Sequence, residues 1–147
     1  MSQHETLLQE YLKIRKSEIS LDQFTYLLKI YPSLLVCMSD GKLDQAEWDG
    51  VLNISKGLAL LYIDQQPNTK AEEIEVLFRT EFKYLLENID RWEKKFINTL
   101  TNYLEDNTDE KEFVYEAMYL FANAADGISH EEQRTIDRLA SRLSLEY

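Results

Sequence analysis

Apolar residues recur along this chain at the three- and four-residue spacing of an amphipathic helix, and no segment alternates convincingly with period two. The spacing is clearest in one run, which carries Ile74, Leu77, Phe78, Phe82, Leu85, Leu86 and Ile89. The pattern predicts an all-α fold of about seven helices, at residues 3–16, 20–39, 44–64, 70–88, 91–105, 110–125 and 130–145.

Helix starts are marked by capping boxes, in which a Ser, Thr or Asp is followed three residues later by Glu or Gln. A box precedes each expected helix, at Ser2/Glu5, Ser20/Gln23, Asp44/Glu47, Thr69/Glu72, Asp90/Glu93, Asp109/Glu112 and Ser129/Glu132. Inside the second helix, Pro32 predicts a kink or a split, because proline has no amide hydrogen and crowds the preceding turn. The polar break at residues 64–68 is too short for a domain linker, so we expect one domain over residues 1–147.

The composition of the chain excludes several classes of binding partner and several cellular environments. The 147 residues carry a net charge of -11, which argues against nucleic acid and anionic membrane surfaces as partners. The acidic surplus suits divalent cations, a basic protein patch or simple solubility. The single cysteine, Cys37, excludes a disulfide framework and favours a reducing, cytoplasmic location. We see no signal peptide and no apolar stretch long enough to insert in a membrane.

One motif occurs twice. Residues 37–47 and 124–132 each end a helix with Asp-Gly, continue with an apolar residue, and start the next helix with a cap residue and a Glu three positions on. A glycine after a helix can adopt the left-handed conformation that closes the C-terminus. The repeat predicts two related helix–turn–helix units that pack about a pseudo-two-fold axis.

The two corners carry four carboxylates, at Asp40, Glu47, Asp126 and Glu132. They have two interpretations. In the first, these residues only cap their own turns and helices. In the second, the corners face the same side and bind a divalent cation, and hard oxygen donors suit Ca²⁺, Mg²⁺ or Mn²⁺ better than Zn²⁺. The spacing is not that of an EF-hand loop, because Gly follows the first Asp directly.

The residues 35–43 and 122–129 resemble the helix–Asp-Gly–helix motif of TerB-like tellurite-resistance proteins. The resemblance implies an all-α, acidic, non-enzymatic protein of tellurite and other chemical-stress responses, with a metal-binding role. It places the acidic positions of that family at Asp40, Glu47, Asp126 and Glu132. The second copy is one residue shorter between Gly127 and the cap, and the first has Ser39 where family members more often have Ala.

Other features have weaker implications. Two histidines and one cysteine do not make a zinc site, and no familiar catalytic motif occurs, so we expect no enzyme. A basic stripe on the last helix, formed by Arg134, Arg138 and Arg142, is either a solvated face or a docking edge for an acidic partner or a second copy of this chain. Most aromatic residues lie on the apolar faces of the predicted helices and fit the core. Four lie at the edges of those faces and could line a groove for a partner: Tyr26, Tyr84, Tyr115 and Tyr119.

The sequence therefore predicts a TerB-like stress-response module that binds a divalent cation. The alternative is a metal-free module that binds a protein partner through its acidic and aromatic surface. The sequence is also compatible with a homo-oligomer.

Overall fold

The computed structural model describes residues 2–39, 41, 45–65, 70–123 and 127–145, with side chains for all of these except 46, 47, 54, 58 and 60–65. Over this part of the chain the all-α prediction is confirmed. The seven α-helices are α1 (Gln3–Ile14), α2 (Leu21–Cys37), α3 (Gln45–Gln65), α4 (Ala71–Glu87), α5 (Ile89–Asp106), α6 (Lys111–Ala122) and α7 (His130–Arg142). A short 3₁₀ turn, Thr108–Glu110, leads into α6. No helix among the described residues is both long and apolar enough to span a bilayer.

Three of the predicted capping boxes are confirmed, and all three have serine at the cap. Ser2, Ser20 and Ser129 each accept a hydrogen bond from the amide three residues on, and each donates its own amide to the Glu or Gln there. Such a box satisfies two donors that the first helical turn leaves without a partner. The starts of α1, α2 and α7 are therefore determined by local sequence.

The boxes at Asp90 and Asp109 are wrong. Helix α5 begins at Ile89, two residues before the predicted start at residue 91, because α4 and α5 are joined through Asn88 alone. Asp90 therefore already lies in the first turn. The cap position of α6 is Glu110, whose carboxylate contacts other elements. The cap position of α4 is Lys70 rather than Thr69. Thr69 and the box residue Asp44 lie outside the described residues.

Helix α2 is the central element of the fold. It packs against α1, α4, α5, α6 and α7, and every residue from Lys29 to Cys37 is buried. It runs through Pro32 as one helix, so the predicted split does not occur. Surrounding helices hold α2 on several sides, and this packing compensates for the backbone hydrogen bond that proline cannot donate.

The core around α2 is rich in aromatic rings. Phe96 of α5 has no solvent exposure, and four rings lie around it, with centroid distances of 4.6 Å to Tyr31, 5.6 Å to Phe24, 5.9 Å to Tyr11 and 5.9 Å to Trp92. Most of these pairs are tilted or edge-to-face, which is the geometry that aromatic quadrupoles favour. This cluster joins α1, α2 and α5.

The two units that carry the Asp-Gly corners contact each other. The first unit is α2 with α3, and the second is α6 with α7. The most extensive helix–helix contact is between α2 and α6, which occupy equivalent positions in the two units. The cross contacts also correspond, since α2 packs on α7 and α3 packs on α6. The two units therefore share one interface, which is formed mainly by α2 and α6.

Candidate functional site

Both Asp-Gly corners have the predicted backbone geometry at their glycines. Gly41 has φ of +87° and Gly127 has φ of +99°, the left-handed region that residues with a Cβ rarely adopt. The Gly41 amide donates to the carbonyl of Met38 at 3.0 Å, which completes the end of α2. The glycines are therefore helix-terminating residues, as the sequence indicates.

The two corners are connected through a side-chain hydrogen bond. Ser39 lies immediately before the first corner, and its Oγ lies 2.8 Å from the Oγ1 of Thr135 on α7. The carbonyl of Val36, 2.7 Å from Ser39 Oγ, is an alternative acceptor for the single hydrogen of that hydroxyl. Because Thr135 is in the second turn of α7, the first corner lies beside the N-terminal part of the helix that follows the second corner. The serine that departs from the TerB-like pattern thus contributes a contact between the units.

Of the four predicted acidic ligands, only Glu132 has a described side chain. Glu132 Oε1 accepts a hydrogen bond from the Ser129 amide at 2.9 Å, and Ser129 Oγ accepts one from the Glu132 amide at 3.1 Å. Glu132 therefore has the capping role that the first interpretation gives it. Asp40 and Asp126 lie outside the described residues, and Glu47 lies in α3 with a side chain outside them. Among the described residues no group of three or more His, Cys, Asp or Glu side chains is arranged to hold a metal ion.

A buried ionic network that the sequence analysis missed joins α1 to α4. Glu81 is only 2% exposed, and its carboxylate accepts hydrogen bonds from the Tyr11 hydroxyl at 2.6 Å and from Arg15 through Nε at 3.1 Å and a terminal nitrogen at 2.9 Å. The Arg15 guanidinium also lies 4.4 Å from the ring centroid of Tyr84, whose hydroxyl accepts from Trp92 Nε1 at 2.9 Å. The hydrogen bonds and charge of Glu81 raise the pKa of Arg15. A bidentate pair of this kind holds two helices in one register.

The network was detectable in principle. Glu81 lies on the apolar stripe of α4, between Phe78 and Leu85 in the i, i+3, i+4 pattern. An acid on such a stripe is expected to be paired, because an isolated buried carboxylate is costly. Its partner, Arg15, lies beyond the end of a different helix, and no sequence rule connects the two positions.

A second ionic contact involves Lys29 of α2. Lys29 is 7% exposed, and its Nζ lies 2.7 Å from an Oε atom of Glu110, whose other oxygen accepts from the Tyr103 hydroxyl. The same ammonium lies 4.5 Å from the ring centroid of Tyr26 and 5.1 Å from that of Phe113. The carboxylate and the two rings compensate for the desolvation of the lysine. Both ionic groups connect elements of the fold.

The four tyrosines predicted at stripe edges are all half-buried against the core: Tyr26, Tyr84, Tyr115 and Tyr119. The rings of Tyr115 and Tyr119 lie 5.2 Å apart on α6, and the hydroxyl of Tyr119 accepts from Gln133 of α7 at 3.1 Å. The next residue, Leu120, is 59% exposed. The outer face of α6 therefore presents aromatic and aliphatic surface beside the second corner.

Alkaline pH should destabilise the fold through its buried tyrosines. Burial and the hydrogen bond to Glu81 raise the pKa of Tyr11 above its ordinary value near 10, and burial raises that of Tyr31. A raised pKa means that the unfolded chain loses its proton first, so the stabilisation is complete below about pH 10 and is lost as the pH rises. We expect urea unfolding between pH 9 and 11 to show a falling free energy of unfolding. Averaged over this range, the slope should be smaller by about 0.7 kcal/mol per pH unit in Tyr11→Phe, because the unfolded tyrosine is only about half deprotonated at pH 10. Equal slopes in the two proteins would contradict the assignment.

No protein-family model, curated protein or solved structure matches the chain. The resemblance to TerB-like proteins therefore stays a prediction from the motif residues, and the function is inferred from the chain's own geometry.

Proposed function

We propose that this chain is a non-enzymatic stress-response module of the TerB-like type, which binds a divalent cation at its Asp-Gly corners. The observation that carries the proposal is the packing of the two corner-bearing units on each other, with the Ser39–Thr135 hydrogen bond between them. This packing supports a shared acidic site because it holds the first corner beside the helix that begins at the second.

The proposed ligands are carboxylate oxygens of Asp40, Glu47 and Asp126, and Ca²⁺, Mg²⁺ and Mn²⁺ are the ions whose chemistry suits them. Glu132 has a narrower role than the sequence predicted, since one of its oxygens accepts the Ser129 amide. Its other oxygen is the one that would bind a cation. The capping hydrogen bond therefore orients the carboxylate and leaves one oxygen for the ion. The excess of acidic residues over the whole chain would add a long-range attraction for cations.

The test is thermal unfolding of metal-stripped protein titrated with each of Ca²⁺, Mg²⁺, Mn²⁺ and Zn²⁺. An ion at about 100 times its dissociation constant should stabilise the native state by roughly 2.7 kcal/mol, which shifts the melting temperature of a domain of this size by several degrees. The shift should be saturable with a hard divalent ion and absent from the Asp40→Asn/Asp126→Asn variant.

A matched control removes the same charge from exposed positions. Asp22 and Asp90 both lie in the first turns of their helices and are exposed, so Asp22→Asn/Asp90→Asn changes the net charge equally without touching a corner. This control should retain the cation-dependent shift. An equal loss of the shift in both variants, or no shift with any ion, would refute cation binding at the corners. The corner residues would then only cap their turns and helices.

The second candidate is a metal-free module that binds a protein partner. The capping bonds of Glu132 favour it, and so does the outer face of α6, where Leu120 is exposed beside Tyr119. Glu112 and Glu116 are exposed on the same helix, so this face would suit a partner segment with basic and apolar side chains. Absence of any cation-dependent shift would direct the search to this face.

A further inference from the structure

A small groove lies between α5 and α7. It encloses about 190 Å³, and its floor is formed by buried side chains, namely Leu35 of α2, Ile97 of α5 and Leu139 of α7. Its walls are the exposed polar side chains of α5 and α7. The groove therefore combines an apolar base with a charged rim.

The rim is mainly cationic. Lys94 projects from α5, and Arg138 and Arg142 project from α7, whereas Glu93 is the one carboxylate among the lining residues. None of these three cations lies within 4.0 Å of a carboxylate oxygen of a described residue. In a chain with a net charge of -11, three cations without a close acidic partner are a local reversal of charge.

The guanidinium of Arg142 is oriented by neutral groups. One terminal nitrogen donates to Thr101 Oγ1 at 3.1 Å, and the other donates to Asn98 Oδ1 at 2.5 Å. Thr101 in turn donates to the carbonyl of Ile97 at 2.8 Å, which fixes its position on α5. These contacts hold the guanidinium in place without neutralising it, and they leave three of its five N–H groups for another acceptor.

We propose that this groove binds a small oxyanion carried on a short apolar stem, such as an aliphatic monocarboxylate. The oxyanion would accept charge-assisted hydrogen bonds from Arg142 and Arg138, and Lys94 would add electrostatic attraction. The stem would cover Leu35, Ile97 and Leu139. The volume is below the 300–1,000 Å³ of pockets for drug-sized ligands, so a stem of a few carbons is the size that fits.

The experiment is an NMR titration of the full chain with butyrate at constant pH and ionic strength. The methyl groups of Leu35, Ile97 and Leu139 and the side-chain amide of Asn98 report directly on the groove. We expect saturable shifts of these signals with a dissociation constant on the order of 1 mM, which is realistic for a ligand of six heavy atoms.

Two further ligands separate the contribution of the charge to binding from that of the apolar stem. Butyramide has the same stem without the charge, and inorganic phosphate has charge without a stem, so both should bind at least several-fold more weakly than butyrate. Equal binding of butyramide would show an apolar pocket with no anion selectivity, and equal or tighter binding of phosphate would show that the floor contributes nothing. Either result would overturn the proposal.

The basic stripe on α7 provides a matched control. Arg134 is exposed on the same helix but does not line the groove. We expect Arg138→Gln and Arg142→Gln each to weaken butyrate binding about tenfold, as loss of a charged hydrogen-bond donor would, and Arg134→Gln to leave it unchanged. Arg138→Gln serves as a second variant because it leaves the Arg142 contacts with α5 intact. An equal loss of butyrate affinity at all three positions would mean that only the net charge of the protein matters, and it would refute a defined site.

Discussion

Replacing Glu81 by glutamine is expected to lower the free energy of unfolding by about 3 kcal/mol. The carboxylate is 2% exposed and accepts three hydrogen bonds, two from Arg15 and one from Tyr11. Glutamine keeps the size of the side chain but removes the charge, and its amide cannot accept all three bonds. The side chain of Arg15 is 27% exposed and regains some hydration, which places the loss at the lower end of the range for broken buried ion pairs.

Urea denaturation of Glu81→Gln beside Glu75→Gln would measure this effect. Glu75 lies on the same helix and is separated from Arg79 by 4.0 Å with both side chains partly exposed, so its replacement should cost less than about 0.5 kcal/mol. A loss at Glu81 no larger than that at Glu75 would contradict the interpretation of Glu81 as the residue that fixes α1 against α4.

Replacing Phe96 by alanine is expected to cost about 4 kcal/mol, within the range for truncating a buried aromatic side chain. Phe96 is fully buried, and its ring is surrounded by those of Tyr11, Phe24, Tyr31 and Trp92. Rigid aromatic neighbours do not collapse easily into the space left by the ring, so both the lost burial and the cavity contribute.

The matched control for Phe96→Ala is Leu120→Ala, at the exposed apolar position of α6. Because Leu120 is 59% exposed, its truncation should change the free energy of unfolding by less than about 0.5 kcal/mol. Denaturant unfolding monitored by circular dichroism would measure both. A loss below about 1.5 kcal/mol at Phe96 would mean that the aromatic cluster repacks, and α1, α2 and α5 would then owe their arrangement to other contacts.

The two ionic networks and the aromatic cluster connect helices in the interior of the fold, whereas the proposed binding sites lie at its surface. The cation site is proposed at the corners beside the Ser39–Thr135 contact, and the anion groove lies between α5 and α7. The two proposals involve different residues and opposite charges. One can therefore fail without affecting the other, and a chelator should leave butyrate binding unchanged.

Local sequence determined the helices and several of their ends. Apolar spacing is sufficient to identify a helix because it repeats over many residues, and a serine capping box is sufficient to place a start because both of its hydrogen bonds are made within four residues. The boxes at Ser2, Ser20 and Ser129 are therefore confirmed, as are the left-handed glycines at Gly41 and Gly127.

Tertiary structure decided the features that depend on partners distant in sequence. The contact of Glu110 with Lys29 of α2 was not predicted, and neither was the pairing of Glu81 with Arg15 from outside its helix. Leu34 and Leu120 each precede their corner glycine by seven residues, yet Leu34 is fully buried and Leu120 is 59% exposed. The repeat makes the two positions equivalent in sequence, but over the described part of the chain α2 packs against five other helices and α6 against three. Burial depends on which elements surround a helix, and that arrangement is a property of the whole chain rather than of the helix itself.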